Sequence, residues 1–130
     1  MNTFKKEERL CSKKLIEELL QNGSSFLLYP LKVVWLVKPL TEPSPFPAHL
    51  VISVAKKRFR RANKRNRVKR LIRETYRINK EDLLYQFLKE HNLNLSLMLS
   101  YVGNDIFTFA DLERKLKLCL IRLIKEIEKR

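Results

Sequence analysis

Glycine is almost missing from this chain. Only Gly23 and Gly103 occur in 130 residues, so a glycine-rich loop wrapped around the phosphates of a nucleotide has no material to be made from. Cysteine is equally scarce. Cys11 and Cys119 form neither a disulfide framework nor a metal quartet, and Cys119 sits in an apolar run that reads as core. His49 and His91 are the two histidines. Nothing in their spacing joins them, and each reads as structural or solvated. Nucleophile elbows and metal-ligand spacings are absent. No stretch approaches the roughly 18 apolar residues of a membrane span, and Met1 to Leu10 lacks the apolar run of an export signal. The expectation is a cytoplasmic protein without a membrane partner. No catalytic residue and no metal ligand is assigned, so these absences describe a binding protein.

Acid is scarce as well. Fourteen Asp and Glu face 28 Lys and Arg, for a formal charge of +14. The excess is packed unevenly. From Lys56 to Arg77 the chain holds twelve basic residues and one acid, Glu74, which is +11 of the total. Such packing calls for a polyanionic partner. Most of the twelve are Arg, whose planar fork of donors matches phosphate. Val68, Leu71, Ile72, Thr75 and Tyr76 recur at helical spacing in the same stretch. They predict a helix with one buried stripe. Asn66, Lys69, Arg70, Arg73 and Arg77 then fall on the opposite face, where Asn66 can read a base edge or a sugar hydroxyl. Glu74 is spaced to hold Arg70 and Arg77. The bland alternative is a solvated helix face or a localisation tract, which the apolar stripe argues against.

The remaining elements follow in order. With 45% hydrophobic residues, residues 1–130 can bury the core of one domain. Residues 1–11 read as a mobile, charged start. Ser12 caps a helix that Gly23 stops, with Leu15, Ile16, Leu19 and Leu20 on its apolar face. Leu31–Val37 is a strand whose faces are both largely apolar. Pro39, Pro43, Pro45 and Pro47 make a stiff loop. Ala48–Ala55 and Leu95–Val102 are the second and third strands. Asn79 is read as the cap of a separate helix, with Asp82 at its third position, and Thr108 with Asp111 as the cap of the last helix. This order predicts an α+β fold, with helices layered on a small mixed sheet.

The run Ala62-Asn63-Lys64-Arg65-Asn66-Arg67-Val68-Lys69-Arg70-Leu71-Ile72-Arg73-Glu74 resembles the signature of the bacterial ribonuclease P protein component. It follows Val54-Ala55-Lys56-Lys57, which resembles the strand end that precedes the signature in that family. The resemblance implies a ribosomal-protein-like α/β sandwich with a left-handed βαβ crossover around the basic helix. It implies a partner that carries the chemistry: a catalytic RNA subunit, using bound Mg2+, removes the 5′ leader of precursor tRNA. The protein itself would hold no cofactor and need no obligate protein partner. Arg65, Asn66, Arg67, Lys69, Arg70 and Arg73 match the family's RNA-binding motif, and Lys56 and Lys57 match the basic pair before it. Arg60 and Arg61 extend that surface on charge grounds. The family's leader contacts on the first helix align with Ile16 and Leu20, both aliphatic here. Trp35 is a candidate replacement, with a core tryptophan as the competing reading. Phe59 reads either as an aromatic contact or as an apolar anchor for the helix start.

Two other classes compete. A structural, ribosomal-type RNA-binding protein shares the charge and fold but has no role in processing. A helix-turn-helix DNA regulator would need more short base-reading side chains than this helix offers.

Overall fold

A computed structural model describes residues 4–42 and 45–130. Pro43, in the predicted proline loop, lies outside the described residues, as do residues 1–3. Four strands, β1 (Ser24–Leu28), β2 (Leu31–Pro39), β3 (Ala48–Val54) and β4 (Leu93–Tyr101), form one sheet in the order β1-β2-β4-β3. β2 pairs antiparallel with β1 and with β4, while β3 and β4 are parallel neighbours. Parallel neighbours need a crossover. It is built here from α2 (Ala62–Lys80), a π-helical turn (Glu81–Tyr85) and α3 (Gln86–Glu90). The mixed sheet with layered helices is the expected α+β architecture.

Helices cover the sheet from both sides, which explains the apolar character of both faces of β2. On one side α2 lies over β3 and α4 (Phe109–Glu128) lies over β2 and β1. There Leu31, Val33, Trp35 and Val37 meet Leu50, Leu97 and Leu99 of the neighbouring strands and Val68, Ile72, Leu116 and Leu120 of the helices. On the other side α1 (Lys13–Asn22) lies over β2 and β4. Leu10, Leu19 and Val34 form a smaller cluster there, joined by Ile16, Leu36, Val51 and Met98. The alternation of β2 is therefore a division between two cores, not between a core and solvent.

The ends of α1 and α4 follow the sequence signals. Ser12 Oγ accepts the Leu15 N–H at 3.3 Å, and Thr108 Oγ1 accepts the Asp111 N–H at 3.2 Å. Each removes one of the unpaired donors at a helix start. Gly23 closes α1 through close approach and not through left-handed backbone. Its φ is −74°, but an added Cβ would lie 2.4 Å from the Leu19 carbonyl oxygen.

Three expectations are corrected. β1 was unforeseen. It joins β2 through Tyr29 and the cis-linked Pro30, and its register runs from Ser24 opposite Trp35 to Leu28 opposite Leu31. Asn79 caps nothing. Its side-chain amide donates to the Thr75 carbonyl at 2.8 Å and to Glu113 on α4 at 3.1 Å. The backbone can therefore stay helical past Lys80. The N-terminal segment is also held in place. Lys6–Glu8 form a 3₁₀ turn, and the Leu10 N–H donates to the Leu50 carbonyl at the edge of β3.

What holds that segment is a buried charge cluster. The Glu8 carboxylate, about 1% exposed, accepts from the Lys80 ammonium, from the Tyr85 hydroxyl and from the Lys5 N–H. Phe4 packs edge-on to Tyr76 beside it, with the Lys80 ammonium 5.5 Å from the Phe4 ring centre. Burial alone would raise the Glu8 carboxyl. The hydrogen bonds from the Lys5 N–H, Lys80 and Tyr85, with the Lys80 charge, outweigh it and hold the group below its ordinary value. A depressed carboxylate contributes stability above its unfolded pKa, and that contribution disappears as pH falls through its folded pKa. Lys80→Met strands the Glu8 charge and is expected to cost about 3–5 kcal/mol in urea unfolding at neutral pH. Glu8→Gln should flatten the loss of stability below about pH 4.3, the ordinary Glu value. An acid limb that Glu8→Gln leaves unchanged would remove Glu8 from that role.

Candidate nucleic-acid interface

α2 is about 28 Å long for its 19 residues, and its charge is sorted by packing. Val68, Ile72, Thr75 and Tyr76 are fully buried, which turns the opposite face outward. Leu71 is half-buried at the edge of the stripe. Asn66 and Arg70 are exposed on the crest. Glu74 pairs with Arg77 at 2.7 Å and not with Arg70, so the expected double clasp is a single one. No acid lies in the first turn of α2, and no side chain caps its first N–H groups. Those unpaired donors add positive potential where the cations are densest.

Two grooves flank the helix. One, of about 640 Å3, runs between the start of α2 and the loop after β4. Its cations are Arg58, Arg60, Arg61, Lys64 and Arg67, and Asn104, Asp105 and Ile106 form its far wall. Arg58 Nη1 donates to Asn104 Oδ1 at 3.1 Å across it. The loop behind that wall is fixed by Tyr101, whose hydroxyl donates to the Asp105 carbonyl at 2.5 Å and accepts the Phe107 N–H at 3.1 Å. The second groove, about 220 Å3, lies between α2 and the N-terminal segment. Lys69, Arg73 and Arg9 give it charge, and Phe4, Leu10, Leu50, Val51 and Ile52 give it an apolar floor, with Cys11 at its side.

The residues assigned from sequence divide between these places. Arg60, Arg61 and Arg67 meet in the larger groove, and Lys69 and Arg73 face the smaller one. Lys56 and Lys57 are exposed in the turn after β3. Arg65 differs: it is half-buried, and its guanidinium bonds to backbone carbonyls of this chain. Phe59 is a core anchor, 7% exposed, with its ring centre 6.0 Å from that of Tyr101. On α1, Ile16 packs half-buried into the smaller core while Leu20 is 58% exposed. Neither lines either groove.

Trp35 requires correction. It is 5% exposed and belongs to the core beneath α2 and α4, on the sheet face away from α1. It therefore shares no surface with Ile16 or Leu20. Alternation along β2 shows which residues share a face, but not which helix covers it. Sequence reasoning also missed Arg9, Asn104 and Asp105. Arg9 stands outside the basic run, and the other two carry only turn signals. Their place in the grooves comes from tertiary packing.

The other titratable groups serve the fold. Burial pushes the Cys119 thiol up to about 12. Burial lowers His49, against an opposing hydrogen bond with Asn94, and His91 Nδ1 lies 3.0 Å from the Phe87 carbonyl. Among the described residues no three His, Cys, Asp or Glu are grouped to hold a metal ion.

The family model for ribonuclease P matches residues 4–123. The chain belongs to the ribonuclease P protein family. A relative from Porphyromonas gingivalis, the ribonuclease P protein component of that organism, is 41% identical over 118 residues, covering 91% of this chain and 84% of its own length. The corresponding component from Acinetobacter baylyi is 29% identical over 108 residues, covering 83% and 74%. Among solved structures, the ribonuclease P protein of Thermotoga maritima superposes with a TM-score of 0.65 at 21% identity, over 88% of this chain and 96% of that one. That of Staphylococcus aureus gives 0.64 at 20%, over 94% and 95%. At those identities the likeness speaks to the fold, and it agrees with the sheet and helices described above.

Trp35→Ala is expected to behave as a core truncation, costing about 3–5 kcal/mol in denaturant unfolding. A variant as stable as the parent would place the indole outside the core.

Proposed function

We propose that this chain is the RNA-binding protein subunit of ribonuclease P. It binds the catalytic RNA and the precursor tRNA, and assists removal of the 5′ leader. One observation carries the reading. The family's basic signature, Arg65-Asn66-Arg67 through Glu74, lies on a helix whose other face is locked into the core. Apart from Arg65, which bonds to the chain's own backbone, its cations are thus held outward, with Glu74 as the one acid among them.

In this reading the RNA subunit carries the chemistry, with Mg2+ that the RNA requires, and the protein supplies charge and position. Binding a polyanion through Lys and Arg releases condensed counterions. A +14 protein thereby lowers the repulsion between two large RNAs and the magnesium needed to bring them together. The larger groove and the crest of α2 suit the catalytic RNA. The smaller groove, with three cations over an apolar floor, suits an unpaired leader nucleotide, since phosphate and base find different partners there. Ile16 and the exposed Leu20 offer apolar contact only. The ribosomal-type reading shares the charge but is not favoured, because the family match spans nearly the whole chain. A cytoplasmic site of action fits this role, and no helix among the described residues is long and apolar enough to cross a membrane.

Titration of the protein with a transcribed bacterial ribonuclease P RNA at several salt concentrations tests the reading. Binding should weaken steeply with salt. Arg70→Ala should lower the slope of log affinity against log salt by about one unit, as for one lost phosphate contact. Unchanged affinity and slope would take Arg70 out of the interface.

A further inference from the structure

Arg65 opens the Arg65-Asn66-Arg67 core of the signature, yet its side chain turns back along the chain. Its Nη1 donates to the carbonyl oxygens of Phe59 and Arg60, each at 2.8 Å. That occupies both hydrogens of this nitrogen. The two carbonyls belong to the loop that delivers the chain into α2, and a charged donor makes such bonds stronger than neutral ones. The same loop is fixed at two further points. The Phe59 ring is buried beside Tyr101, and Arg58 reaches Asn104 across the groove. Between these anchors stand Arg60 and Arg61, exposed and lining the larger groove. A cation on a free loop must surrender backbone entropy when it grips a phosphate. On a fixed loop that ordering is already done.

We propose that Arg65 is a positioning residue: it serves RNA binding by fixing the backbone of residues 59–61, so that Arg60 and Arg61 face the groove, and not by contacting RNA itself. This rests on the RNA-binding reading above and deepens it. Arg65 acts through Arg60 and Arg61, whereas Arg67, on the groove wall, acts directly.

The test has two arms. The first needs no RNA. In the free protein, amide hydrogen exchange across residues 58–62 should speed up in Arg65→Met and stay as in the parent in Arg67→Met. The second measures affinity for a transcribed bacterial ribonuclease P RNA in the parent, in Arg65→Met, in Arg60→Ala/Arg61→Ala, and in the three changes combined. Arg65→Met should weaken binding by about tenfold alone, and by less than about twofold once Arg60 and Arg61 are Ala, because residues that act through one another are not additive. The salt slope in that second background should not respond to Arg65→Met. An equal loss in both backgrounds would make Arg65 a direct contact and overturn the proposal. Unchanged loop exchange, or no loss in either background, would overturn it as well. A parent protein that does not bind the RNA would instead sink the RNA reading, while the exchange arm still reports whether Arg65 holds the loop. Thermal melting of each variant separates these effects from loss of fold. If Arg65→Met does not fold, Arg65→Lys, which keeps a cation on a differently shaped donor, carries both readouts.

Discussion

The structure depends on one division of labour within a single helix. α2 must bury Val68, Ile72, Thr75 and Tyr76 while holding Arg67, Arg70, Arg73 and their neighbours in water. Apolar burial supplies the force, at roughly 25 cal/mol per Å2 removed from water, and salt does not screen it as it screens charge. The outer face is the opposite case, since its cations repel each other and gain from a polyanion. Fixing the helix by its apolar side lets the protein tolerate charge that it does not neutralise. The buried Glu8–Lys80–Tyr85 cluster secures the far end of the same helix. It also brings Phe4 and Arg9 beside Lys69 and Arg73. One flank of the interface therefore depends on an ion pair that no solvent reaches.

Much of this was legible in the chain itself. The stripe from Val68 to Tyr76, the alternation in β2, and the caps at Ser12 and Thr108 are local signals, and the structure follows them. The failures share a cause. Asn79 carries a cap signal, but Thr75 and Glu113 use its amide inside the fold, so the helix continues. β1 is short and begins with two serines, and its hydrogen bonds are supplied by β2. Trp35 fits the core reading and not the leader-contact one, and which core it faces depends on helices distant in sequence. Arg65 looks like its basic neighbours until its partners, five and six residues earlier, are seen. Charge in a sequence reports where cations are, not which of them are already engaged.

The two grooves give this division a direction. Around the start of α2 the charge is almost wholly cationic, with Asp105 as the one acid among the described residues that line the groove. Beside the middle of α2, cations stand over an apolar floor. Paired RNA presents mainly phosphate and sugar, whereas an unpaired segment also offers base faces. Under the proposed function, a protein that holds a folded RNA and a single-stranded leader at once would need both kinds of surface within reach of one rigid element. α2 provides that, with the family relationship as the independent support.

The central claim is that this protein assists a catalytic RNA in processing precursor tRNA. Its most direct test is cleavage of a precursor by a transcribed bacterial ribonuclease P RNA at low magnesium, with and without the protein. The account predicts cleavage at the mature 5′ end with the protein present, and little or none without it. Equal cleavage in both reactions, with binding to the RNA intact, would contradict the account and leave an RNA-binding protein without a processing role.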